Sequence, residues 1–144
     1  MEPRQKIIHR KGKHIVAGFH SDVLQSDLNV VIFPFGKVND HMLRKLTGIS
    51  DLEYERSYDC YGSVFSNDET NTETLVLQLN QDGAVYMDVL AHEALHVAGN
   101  IFTRIHQTVD FSPGGDEILA NTVGTVANHV YAILLAKSIP LAVG

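Results

Sequence analysis

The chain is expected to be an α+β protein: a small, mostly antiparallel sheet packed beside a two-helix core. Three observations carry this expectation. Short apolar or alternating segments fill the first 80 residues, while the last 60 read as two long helical stretches. The strands therefore come first and the helices follow, instead of alternating. Finally, 144 residues with 44% apolar content are enough to bury one core without disulfides, and Cys60, the only cysteine, is expected as a buried core residue.

The elements follow in order. Residues 14–19 and 29–35 read as strands, and Val30-Val31-Ile32-Phe33 is a run of the fully buried kind. Asn39-Asp40 before His41-Met42-Leu43-Arg44-Lys45-Leu46 and Gly48 reads as a short helix with an N-cap and a C-terminal glycine. Residues 51–73 are polar and acidic, with a strand at 58–65 and a loop at 67–71. Residues 74–80 alternate: Leu75, Leu77 and Leu79 share one face, Val76, Gln78 and Asn80 the other, the pattern of a half-buried strand. Gln81-Asp82-Gly83 is a turn. Helices are expected over about 84–103 and 116–136, joined by a loop containing Ser112-Pro113-Gly114-Gly115, with Pro140 beyond the second.

Charge is uneven. Residues 1–14 hold five of the eleven basic side chains against one acid, and the remainder holds six basic and sixteen acidic. Residues 1–13 are expected to be a flexible basic arm, and 14–144 one domain. An acidic body argues against a nucleic-acid surface. The basic start lacks an apolar core of the signal-peptide kind, and no apolar run of membrane-spanning length is evident. A single cysteine suits a reducing compartment, so a cytoplasmic protein without a membrane partner is expected.

The chemistry centres on His92-Glu93-Ala94-Leu95-His96, an HExxH motif in the first long helix. Residues four apart share a helix face, so two imidazoles can converge on one metal, and Glu93 can act as general base on a water there. Both sides of this helix are largely apolar, so it is expected to be buried all round, where unpaired His and Glu would be costly. A zinc site of this type needs a third protein ligand. Phe102 stands where a third histidine six residues after His96 would be. His106, Asp110 and Asp116 are candidates, and Asp116 could instead cap the second helix. Glu117 is preferred, because it opens a helix that can pack against the first, and Gly124 on its face would permit close approach. That helix has an apolar stripe of Leu119, Val123, Val126, Val130 and Ile133. Glu117, Asn121, Asn128 and Tyr131 lie opposite, and Asn121 could accept from a ligand's ring N–H.

The segment 92–96, followed by Gly115-Asp116-Glu117-Ile118-Leu119-Ala120-Asn121, resembles the zincins in their gluzincin form, and in particular small zincin-like proteins encoded by phages and prophages. The resemblance covers about residues 74–131. It implies a zinc metallopeptidase with His92, His96 and Glu117 on Zn2+ and Glu93 as catalytic base, acting on a peptide or protein substrate. Asn121 departs from the acid that larger gluzincins commonly carry there. Tyr131, His129, Asn128 and His106 are the candidate transition-state donors or supporting polar groups. The resemblance also implies that the strand before the motif helix is an edge strand that pairs with substrate, with Gln78 and Asn80 facing it. Rival expectations are a non-catalytic zinc-binding assembly protein, a metal-free binding module, and a DNA-linked protease using the basic arm.

Overall fold

The computed structural model describes residues 2–3, 8–9, 14–54, 60–105 and 116–144. Strands β1 (Glu2–Pro3), β2 (Ile8–His9), β3 (Ile15–Ser21) and β4 (Ser26–Phe33) precede helix α1 (Asp40–Thr47). Strands β5 (Gly62–Asn67), β6 (Thr72–Gln78) and β7 (Val85–Tyr86) follow, then α2 (Met87–Arg104), α3 (Glu117–Ala136) and β8 (Leu141–Ala142). The α+β expectation holds. The sheet has four full strands in the order β3-β4-β6-β5, and the two-residue β1 and β2 both pair with β3. Parts of the basic N-terminal arm, expected to be flexible, are thus paired at the backbone level; the rest lies outside the described residues.

The sheet is mixed. β3–β4 and β5–β6 are antiparallel hairpins, and β4 pairs parallel with β6, placing Val31 opposite Val76. This seam is central and covered on both sides, which is why β4 is apolar on both faces: Leu28, Val30 and Ile32 enter one core cluster, Val31 and Phe33 the other.

β6 corrects two expectations. It is not half-buried, because Leu75 and Leu77 pack toward α2 and α3 while Val76 packs with Leu43 of α1 and with Leu52 and Tyr54. Nor is it an edge strand: β4 and β5 take its two sides. Alternation in sequence reports side-chain character, not which neighbours arrive.

α1 forms as its caps require. Asn39 Oδ1 accepts from the Met42 backbone N–H at 3.0 Å, and Gly48, at φ 73°, donates its N–H to the Arg44 carbonyl. The expected turn at 81–83 is present, but β7 intervenes before α2 begins. β7 pairs parallel with β8, so the chain beyond α3 returns to the start of the motif helix.

α2 packs on α3 and covers β5 and β6. It is amphipathic, correcting the expectation of burial all round: Leu90, Ala94, Val97, Ala98 and Ile101 are in the core, whereas His92, Leu95, His96 and Thr103 are exposed. The stripe expected for α3 is found, with Val126, Val130 and Ile133 buried and Leu119 and Val123 packed against the cluster. Although no spanning run was evident from sequence, α3 meets that test by length and composition, with a best-window mean hydropathy of 1.4. Its apolar stripe is nevertheless occupied by this core.

Candidate functional site

His92 and His96 lie one helical turn apart on the exposed side of α2. Their Nε2 atoms approach to 3.0 Å, and their rings meet edge to face at a centroid distance of 4.7 Å. Two nitrogens about 2.0–2.1 Å from a tetrahedral zinc would be about 3.3 Å apart, so the pair is close to the spacing such an ion needs. Without an ion, the same distance suits an N–H···N hydrogen bond between the two rings. As donors, the two imidazoles fit a metal of the zinc type.

Glu93, between them in sequence, is buried where they are exposed. It is 7% exposed and turned toward the start of β5. Burial pushes its carboxyl above the ordinary value, and the neighbouring charges of His92 and His96 oppose the shift. Gly62 makes this approach possible. A Cβ there would stand 2.6 Å from Val89 Cγ1 and 2.9 Å from Glu93 Cγ, so only a residue without a side chain fits against this turn of α2.

Glu93 and His96 form one wall of an open cleft of about 330 Å³ whose other wall is Gly62, Ser63 and Val64 of β5. Among the described residues β5 pairs only with β6, so its outer edge is the free edge of the sheet on this side. Asn100 completes the lining. Its Nδ2 donates to Glu73 Oε1 at 2.8 Å, and Glu73 is fully buried and also bonded to Arg104 and Ser66. Neither Gly62 nor Asn100 was picked out from the sequence. Asn100 had a readable signal, standing one turn after His96 on the same face; Gly62 had none beyond being a glycine at a strand start.

The remaining expected residues do not gather here. Glu117, Asn121, Asn128 and Tyr131 lie on the exposed face of α3. Gly124, on that face, would meet nothing within 4 Å if it carried a Cβ, so it marks no close helix approach. His129 stacks on Phe19 of β3, with ring centroids 4.3 Å apart, and burial lowers its pKa. β3 is three strands from β5, about 14 Å at normal strand spacing, so His129 is not placed as a donor to this cleft. Among the described residues no third His, Cys, Asp or Glu joins His92 and His96 in a group able to hold a metal. His106 and Asp110 lie outside the described residues.

Gln78 and Asn80 face no substrate edge, which corrects the expectation for them. Gln78 Oε1 accepts from the Gly36 N–H at 2.8 Å and its Nε2 donates to the Cys60 carbonyl at 3.1 Å. Asn80 Oδ1 accepts from the N–H groups of Asp82 and Ala84, which organises the turn before β7. Cys60, expected as a buried residue, is partly buried at the margin of the α1-side core.

Comparison with family models, with curated proteins and with solved structures gives no match for this chain.

Proposed function

We propose that this is a zinc-dependent metallopeptidase whose site is the cleft between α2 and β5. The observation that carries the reading is the sidedness of the HExxH turn. Two imidazoles converge on its exposed side, and beside them a buried carboxyl group faces the outer edge of β5, which is unpaired among the described residues. A pair of core histidines with a surface glutamate would have the opposite burial.

In this reading His92 and His96 hold the ion, which when bound would supply the Lewis acidity that polarises a carbonyl and acidifies a water. An extended peptide adds to the outer edge of β5 by main-chain hydrogen bonds, which takes over the docking role first expected of β6. Glu93 accepts a proton from the attacking water as its oxygen bonds to the carbonyl carbon. It then delivers that proton to the amine nitrogen as the C–N bond breaks. Gly62 lets the strand lie close enough to Glu93 for both to meet one peptide unit.

A second reading, a non-catalytic zinc-binding assembly protein, draws support from the position of Glu117 on the outer face of α3. Elemental mass spectrometry on wild type and on His92→Ala, Glu93→Gln and Glu117→Ala, with a peptide-library cleavage assay, tests both. The metallopeptidase reading expects about one zinc per wild-type chain, its loss in His92→Ala, and its retention without cleavage in Glu93→Gln. Zinc retained with no cleavage by wild type supports the second reading. A wild-type chain that takes up no zinc overturns both. The Glu117→Ala zinc content decides whether that residue is the third ligand.

A further inference from the structure

A second cavity, of about 430 Å³, lies at the end of the sheet where β4 and β6 finish. Its size is within the usual range for small-ligand sites. Phe35, Tyr54, Tyr61 and Tyr86 line it, and Tyr61 meets Tyr86 edge to face at 4.9 Å. Among the described residues Asp82 is the only charged one in the lining, and Gln78, Asn80 and Gln81 add amide side chains. Lys37 lies in the 36–38 loop at the rim but is exposed and does not line the cavity.

The walls are held in place by the fold. The Gln78 side chain ties Gly36 to Cys60 across the floor, and the Tyr54 hydroxyl donates to the same Cys60 carbonyl at 3.1 Å. The Asn80 side chain and Gly83, at φ 77°, hold the turn that carries Asp82. Four aromatic rings and one carboxylate, with no cation among the described lining residues, form the environment that favours an organic cation. The ring faces are electron-rich, and the carboxylate supplies the counter-charge. An anion would find no counter-charge among the described lining residues.

We propose that this cavity binds an alkylammonium or guanidinium group, either of a small free cation or of a basic side chain on a polypeptide. The inference is independent of the metal reading, since it uses none of the HExxH residues.

The assay is tyrosine fluorescence with calorimetry on the whole chain. There is no tryptophan, and three of the five tyrosines line the cavity, so the intrinsic signal reports on it. The probes are choline, its neutral isostere 3,3-dimethyl-1-butanol, and a lysine tripeptide blocked at both ends. At least one cationic probe is expected to bind, and the neutral isostere to bind at least about fivefold more weakly than choline wherever choline binds. Asp82→Asn and Tyr86→Leu are each expected to weaken the bound cation by about fivefold or more, with folding checked by circular dichroism. Asp82 is exposed in a turn, so its variant keeps the test open if Tyr86→Leu fails to fold. Preference for choline identifies a free small cation, and preference for the tripeptide a basic side chain. Equal binding of choline and its neutral isostere, unchanged binding in Asp82→Asn, or no binding of either cationic probe overturns the proposal.

Discussion

Gly62→Ala is the most direct test of how β5 meets the motif helix. The added methyl would stand 2.6 Å from Val89 Cγ1 and 2.9 Å from Glu93 Cγ. A relaxed carbon–carbon contact is about 3.5–4.0 Å, so about an ångström of space is missing on the valine side. The Glu93 side chain can turn aside. Val89 cannot do so cheaply, because a β-branched residue in a helix has essentially one χ1 rotamer. Overpacking of this kind costs about 1–3 kcal/mol. Gly62 has no positive φ, so alanine incurs no backbone strain and gains about 0.4–1 kcal/mol from a less flexible unfolded chain. The net expectation is a loss of about 1–2 kcal/mol. In urea this lowers the midpoint by about 0.5–1 M at an unchanged slope. Val89→Ala removes the obstructing methyl, so a double-mutant cycle should show about 1 kcal/mol of favourable coupling. A Gly62→Ala protein as stable as wild type, or additive effects of the two substitutions, would refute the close approach on which the cleft geometry depends.

Two further outcomes follow from groups away from the cleft edge. Glu73 is fully buried and receives hydrogen bonds from Asn100, Arg104 and Ser66, while the Arg104 side chain is 9% exposed, so Glu73→Gln should leave that cation, among the described residues, with only the exposed Asp68 carboxylate at 3.3 Å to balance it. A loss of about 3 kcal/mol or more in urea unfolding is expected; a loss below about 1 kcal/mol would show that water reaches the pair. His20 is hydrogen-bonded to Asp22 at 2.7 Å and to Asp27 at 2.6 Å, which raises its pKa in the folded chain. A raised histidine pKa stabilises the fold fully below its ordinary value of 6.5 and loses that contribution as pH rises through the folded value. The melting-temperature advantage of wild type over His20→Gln should therefore shrink as pH rises above that ordinary value, and a constant difference would contradict it.

Much of the framework was legible because it rests on local rules. The caps of α1, the apolar stripe of α3 and the doubly apolar run of β4 are consequences of hydrogen-bond demand and side-chain period, which a sequence displays directly. So is the convergence of His92 and His96, since a four-residue spacing on a helix needs no tertiary partner to place two rings together. The role of residues 72–78 was not legible in the same way: alternation distinguishes faces but not edges, and strand order depends on which hairpin docks where. The sequence likewise could not show that Glu93 is buried while its histidine neighbours are exposed. That follows from β5 packing against one side of α2, at a glycine 31 positions earlier.

By itself, then, the sequence determined the helices, the strand-forming segments and the pair of imidazoles, all set by interactions within a few residues. Only the tertiary structure decided the remainder. It set β5, paired only with β6 among the described residues, beside Glu93, carried Glu117 to the outer face of α3, and closed an aromatic cavity around Asp82. The physical reason is that these outcomes depend on contacts between segments far apart in the chain, where the packing of whole faces outweighs what any single residue prefers.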